Sequence, residues 1–472
     1  MRHLIISTVS IVCLVAVAIP SVNLLYVPLN ARNDFQPAPT QSRRRPDIVV
    51  VTIDALRADH LGSYGYGRPT SPSIDAFTEH AVMFTQAVAQ APYTKASVAS
   101  LMSGLYPTAH KAVTTTTPFP ETMTGNPTTL PIPTDVLSSD ITTLAEALHA
   151  AGYRTLGFTA NPFLIAPFGF GQGFDVFQFF PGQDFAGADR LVDEALQAVK
   201  RSSPTPIFLW VHLMEPHSPY APPALTCGMF PPVGRPQPIP STVAIPAWLL
   251  SGSPRDLRLY ESRYDEEIAA VDVAVDALVR ELGDLRDREN TVVVLTSDHG
   301  EEFLDHGGWE HSDTLYDEVI RVPLIMQVPQ IRPRVVQSQV QLIDLYPTLL
   351  ELGRADVPDS QAGQTLIPVL NGATRSPPAF SEIAGAQYAI RVDGWKLIAW
   401  ADGRQALFNL SHDPHEQHDV APTEPARVAN LRRVLDRHLA AAVARGRTIG
   451  GTGGEVDPRV LQRLHALGYI GS

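Results

Sequence analysis

Cysteine is nearly absent: 472 residues contain two, Cys13 and Cys227. Removal of the N-terminal segment would leave Cys227 alone, so a disulfide scaffold is excluded and stability has to come from a buried core. Cationic excess is missing as well. Lys and Arg number 36 against 49 Asp and Glu, a formal charge of −13. Such a chain lacks the basic field that non-specific nucleic-acid binding requires, and no nucleic-acid partner is expected. The sign of a small substrate stays open, because a bound metal reverses the field inside a cleft. Long apolar runs are absent but for one, Leu4–Ile19, and there is no internal repeat.

That single run follows Arg2 and precedes Pro20 and small residues, the pattern of a secretory signal peptide or an uncleaved anchor over residues 1–31. It is just shorter than a membrane span, which Val22–Val27 could complete. Cys13 has no Gly, Ala or Ser before it, so a lipoprotein cleavage site is not expected. Residues 32–46 form a flexible tether, and the expected location is periplasmic, extracellular or membrane-anchored.

Folded sequence begins at Asp47. Unbroken apolar runs at Ile48–Ile53, Thr155–Thr159, Pro206–His212 and Thr291–Ser297 predict strands buried on both faces. Between them the spacing predicts helices over Ser73–Ala81, Ser97–Ser103, Thr142–Ala151, Ala188–Lys200 and Leu257–Leu282. This alternation predicts an α/β fold with a mainly parallel central sheet sandwiched by helices, over residues 47–375. Residues 376–472 predict a smaller α+β subdomain, with a hairpin in Tyr388–Trp400 and a helix over Glu424–Arg445. Proline-rich insertions at 114–135 and 216–254 predict loops that wall or cover a site.

Three segments carry the chemistry. Asp54 ends the first strand, and Asp298-His299 ends the strand Thr291–Ser297; open α/β sheets place their sites at such carboxyl ends. Thr94 lies where the loop Ala91–Tyr93 gives way to a helix, at the positive end of the helix dipole. Two carboxylates, one imidazole and one hydroxyl, Asp54, Asp298, His299 and Thr94, make a donor set for a divalent cation that would activate Thr94. His217 and His311 are the expected partners for the non-bridging oxygens or leaving group of an anionic ester, ranked above His212 and His306. Lys95 is a further candidate for substrate charge.

These residues resemble a sulfatase-type member of the alkaline phosphatase superfamily. The likeness runs through Asp54–Gly62, Pro69–Asp75, Ser100–His110, Glu215–Tyr220, Ser297–Glu302, Thr314–Tyr316, Arg321–Leu324, Ile343–Leu350, Phe380–Glu382 and Phe408–Pro414. It implies that Asp54, Asp298 and His299 hold metal, that Thr94 is the nucleophile, and that His217 and His311 contact the anionic oxygens. Sulfatases carry Cys or Ser as the nucleophile, oxidised to formylglycine, with a supporting Arg four residues on. Here these positions are Thr94 and Val98, so no formylglycine is expected. Ala55 stands where the family's second acidic ligand is usual, and His299 where it has an amide.

Those departures resemble phosphoethanolamine transferases and nucleotide pyrophosphatase/phosphodiesterases, which use an unmodified threonine. One divalent metal is expected, with zinc or manganese suiting imidazole better than calcium. The expected function is metal-dependent hydrolysis of sulfate or phosphate esters through Thr94. The alternatives are a phosphoethanolamine- or phosphoglycerol-type transferase of the same fold and a non-catalytic protein that keeps its metal.

Overall fold

A sheet of nine strands forms the frame. The computed structural model describes residues 44–113, 134–180, 187–202, 204–243, 245, 255–449 and 453–454. The N-terminal apolar segment, most of the tether and most of the first proline-rich insertion lie outside them. The strands are β1 (Asp47–Ile53), β2 (Val82–Val88), β3 (Arg154–Thr159), β4 (Val176–Phe179), β5 (Ile207–Leu213), β6 (Thr291–Ser297), β7 (Arg321–Gln327), β8 (Arg334–Val336) and β9 (Val340–Gln341). Their order is β8-β2-β7-β6-β1-β5-β3-β4, with β9 also beside β2. Strand β7 pairs antiparallel with both β6 and β2; the other pairings are parallel.

The unbroken apolar runs have the expected cause. Along β1, Ile48 and Val50 enter the core on one face, with Val98, Leu101 and Leu144. Val49, Val51 and Ile53 enter the core on the other, with Leu191, Ile268 and Leu278. A strand covered on both sides has no solvent face, so apolar side chains fill both of its faces. Helices α1 (Pro72–Thr78), α2 (Thr94–Ser103), α3 (Leu144–Ala150), α4 (Ala188–Lys200) and α5 (Leu257–Leu285) supply the covering layers. The fold is the expected mainly parallel sheet sandwiched by helices, with a smaller antiparallel sheet after it.

That second sheet has four strands, β10 (Ala379–Ile383), β11 (Gln387–Val392), β12 (Trp395–Trp400) and β13 (Gln405–Asn409), in sequential order. Asp393 and Gly394 join β11 to β12 with φ of 51° and 75°, the left-handed pair of a two-residue hairpin turn. Helix α6 (Pro425–Gly446) packs Leu431 and Leu435 against Ile390, Leu397 and Leu407 of this sheet.

The described part of the second insertion is irregular and docks on α5. Buried Glu267 accepts the Ala221 N–H at 2.6 Å, and Glu266 accepts those of Gly228 and Phe230 at 2.8 and 3.2 Å. The carboxylates thus pay for backbone donors that no secondary structure satisfies.

Helix α2 ends at Gly104, whose φ is 66°. A Cβ there would lie 2.8 Å from Tyr346 Cδ1 and 3.0 Å from Gln361 Cβ. Gly104→Ala combines a left-handed penalty with overpacking and is expected to cost about 2–4 kcal/mol. A urea unfolding midpoint measures it, and an unchanged midpoint would show that the Tyr346 ring gives way without cost.

Candidate active site

Sheet order assembles the site. Strand β1 lies between β6 and β5, so their carboxyl ends bring Asp54, Asp298-His299 and His212 together. Beyond β5, the end of β3 leads to Asn161. Helix α2 follows β2 and presents Thr94 at its first turn, with Tyr93 as N-cap.

Asp54 is the hub and is fully buried. Its Oδ2 accepts from Asn161 Nδ2 at 2.7 Å and lies 3.1 Å from His212 Nε2. Its Oδ1 lies 3.4 Å from both Thr94 Oγ1 and His299 Nε2. Burial raises its pKa, but His217, His212 and His299 together hold it far below the usual carboxylate range. Asp298 behaves oppositely. Its Oδ1 accepts the N–H groups of Ala55 and His299 at 3.3 and 3.0 Å, while Oδ2 is buried with no hydrogen-bond partner among the described residues. Burial and the charge of Asp54 push its pKa well up.

Thr94 is 5% exposed. Its hydroxyl lies 3.3 Å from His299 Nε2 and 3.5 Å from Asn161 Nδ2. The His299 ring donates Nδ1–H to the Gly300 carbonyl at 2.8 Å, leaving Nε2 toward the hydroxyl. Burial and His311 push its pKa down to about 3, so the imidazole is neutral and its lone pair can serve a metal.

A divalent cation fits these residues. Asp54, His212 and Asp298, all buried, offer donor atoms within 4.8 Å of one another. The unpartnered Asp298 Oδ2 beside a second buried carboxylate is a charge problem that a cation resolves.

His217 and His311 stand over this floor. Their rings are 4.9 Å apart, and His311 is 4.3 Å from His299. Burial disfavours charge on His217, but Asp54 and Glu301 outweigh it and raise its pKa. Burial and His217 push His311 down to about 4. The two neighbouring rings are thus shifted in opposite directions.

Three of the sequence-based expectations are corrected. His212 was expected on the substrate side, yet it is fully buried, with Nδ1 2.8 Å from Thr52 Oγ1 and Nε2 on Asp54. It stands opposite Thr52 in the β1–β5 register, with its ring beside Asp54 and within reach of Asp298. Lys95 follows Thr94, but a helix turns about 100° per residue, and its ammonium sits over the Phe168 ring at 4.5 Å. His306 is spent elsewhere: it stacks on Tyr316 at 3.5 Å, with Nδ1 2.6 Å from Glu318 and Nε2 3.2 Å from the Glu416 carbonyl. Two residues were missed. Asn161 had a usable signal, its place just past a buried strand. Glu301, which touches His311, had none.

Known proteins agree with this architecture. The sequence profile of the sulfatase family matches residues 46–355, and that of the N-sulphoglucosamine sulphohydrolase C-terminal region matches residues 305–444. Arylsulfatase K of Xenopus laevis is 32% identical over 200 residues, 38% of this chain and 37% of that protein. The chain thus matches little more than a third of the length of that relative. A delta 4,5-hexuronate-2-O-sulfatase of Bacteroides thetaiotaomicron is 23% identical over 92% of this chain and 95% of its own. Among solved structures, the phosphonate monoester hydrolase of Silicibacter pomeroyi superposes with a TM-score of 0.70 at 21% identity, over 88% of this chain and all of that one. A 2-O glycosaminoglycan sulfatase gives 0.68 at 21% identity, over 88% of this chain and 96% of that one. With a profile match over more than half its length, a matching fold and a buried carboxylate–imidazole site at the strand ends, the chain belongs to the sulfatase family of the alkaline phosphatase superfamily.

Proposed function

We propose that this protein is a metal-dependent hydrolase of anionic esters, with sulfate esters of saccharides as the leading substrate class and unmodified Thr94 as nucleophile. The observation that carries this reading is the Thr94 hydroxyl at the start of α2, within 3.3–3.4 Å of His299 Nε2 and Asp54 Oδ1. Family membership supports sulfate, and the near full-length match to a hexuronate sulfatase supports a sugar.

A divalent cation held by Asp54, Asp298, His299, Thr94 and His212 would lower the pKa of the hydroxyl and offset charge on the transferring group. Zinc or manganese suits a donor set that includes imidazoles. The protein's own groups do the rest. The first turn of α2 directs its positive end at the ester. His217 holds the non-bridging oxygens, His311 Nε2 exchanges a proton with the reacting groups, and Asn161 fixes the Asp54 carboxylate. Burial of the floor keeps bulk water from Thr94, so the ester rather than solvent meets the nucleophile.

A phosphodiester or phosphonate monoester is the second reading. Threonine replaces the cysteine or serine that becomes formylglycine, and an ordinary alkoxide is the nucleophile of the threonine-using phosphorus esterases that this site resembles. The transferase alternative has less support, since such transferases usually carry several membrane spans and the sequence offers at most one, Leu4–Ile19. Export and anchoring by residues 1–31 stay a proposal resting on the Leu4–Ile19 run.

Turnover of matched aryl sulfate, aryl phosphodiester and phosphonate monoester substrates after loading with zinc, manganese or calcium tests the reading. Sulfate turnover that vanishes in Thr94→Ala is the expected result. Phosphorus-ester turnover alone would establish the second reading, and ligand binding without any turnover would leave a metal-keeping binding protein.

A further inference from the structure

Glu301 is fully buried, and among the described residues no Lys or Arg pairs with its carboxylate. A buried carboxylate with no Lys or Arg against it is costly, so its retention needs a reason. Its Oε1 lies 2.9 Å from His311 Nδ1, and its Oε2 accepts the Tyr220 hydroxyl at 2.9 Å. The main chain holds it rigidly. The preceding Gly300 donates to the Val319 carbonyl at 2.7 Å and packs so closely that a Cβ would lie 2.0 Å from the Glu318 oxygen.

The loop that bears His311 is constrained just as tightly. Its neighbours Glu310 and Ser312 have φ of 64° and 87°, a left-handed conformation that non-glycine residues rarely adopt. Ser312 N–H donates at 3.0 Å to the carbonyl of Pro92, two residues before Thr94. The Ser218 hydroxyl, next to His217, donates at 2.7 Å to Glu310 Oε1. These tethers fix where the His311 backbone lies relative to both the nucleophile and His217. They do not fix the ring. Its remaining nitrogen, Nε2, makes no hydrogen bond to any described residue.

We infer that Glu301 is a positioning residue: it accepts His311 Nδ1–H, with Tyr220 behind it, and so aims the His311 Nε2 lone pair at the reacting groups as a proton acceptor. This rests on the reading of Thr94 and His311 given above. A carboxylate on one imidazole nitrogen sets the tautomer and rotation of the ring, as it does behind catalytic and metal-bound histidines. Tyr220 keeps the carboxylate in place by occupying its other oxygen. Glu301 itself touches no substrate.

A double-mutant cycle tests the role. Glu301→Ala alone is expected to lower kcat about 10–100-fold with KM nearly unchanged. In a His311→Ala background the same change should cost less than about threefold, because nothing is left to position. Equal losses in both backgrounds would overturn the inference, since a purely structural carboxylate would act independently of His311. Imidazole nitrogen chemical shifts supply a readout that needs no turnover. The protein should show His311 protonated at Nδ1, and Glu301→Gln, which keeps the side-chain shape, should mix the tautomers. A bare Nδ1 in the unmutated protein would also overturn it. Wild-type inactivity toward every ester would sink the proposed function while leaving the tautomer result to decide Glu301.

Discussion

Thr94→Ala is expected to reduce kcat/KM by about four to six orders of magnitude, the range seen when an enzyme loses its covalent nucleophile. Fold stability should barely change. All the contacts of the Thr94 hydroxyl are long, 3.3–3.5 Å, so losing them should move the unfolding free energy by no more than about 1 kcal/mol. Thr94→Ser keeps the oxygen but frees its rotamer, so it should retain part of the activity. Rates on an aryl ester and a urea midpoint, measured on the same preparations, separate chemistry from folding. An alanine variant that keeps a tenth of the activity would move the nucleophile elsewhere.

The second large effect is expected at Asp298. In the metal-free protein its carboxylate is buried beside Asp54, and burial together with that neighbouring charge raises its pKa. Asp298→Asn removes the repulsion, so the metal-free melting temperature should stay level or rise. Metal should then no longer stabilise. Wild type at a hundred times the dissociation constant gains about 2.7 kcal/mol, and the variant should gain almost none. The pH dependence has a definite sign. Cation and proton compete for Asp298, so affinity in the wild type should increase as pH rises through its ionisation and fall on acidification. Thermal shift with elemental analysis checks both points; stoichiometric metal in Asp298→Asn would sink the assignment. His212→Ala is expected to bind metal more weakly than wild type. Unchanged affinity there would leave His212 as a hydrogen-bond partner of Asp54 only.

Much of the frame was legible because it is local. Strands β1, β3, β5 and β6 are covered on both faces, and that environment writes itself as unbroken apolar runs. Strands β2 and β7 were not legible as strands. In β2, Thr85 and Gln86 are only half-buried, which breaks the apolar run. Strand β7 carries Pro323 at a register shift between Val322 and Leu324, where the missing N–H is tolerated. The hairpin at Asp393-Gly394 was readable because two left-handed residues leave a compositional mark.

The site divides the same way. Asp54, Thr94, Asp298 and His299 each sit at the end of an element, and that position shows in a single stretch of chain. By itself, then, the sequence determined an α/β sulfatase-type chain and singled out Thr94, Asp54, Asp298 and His299, which the fold brings together. Only the tertiary structure decided the rest. It set His212 against Asp54 and Thr52, turned Lys95 onto Phe168, spent His306 on Glu318 and Tyr316, and brought Asn161 and Glu301 in. The reason is physical: those outcomes depend on which strands lie side by side and which way a helix is rotated. Pairing of strands more than a hundred residues apart sets both, and no local pattern of residues records it.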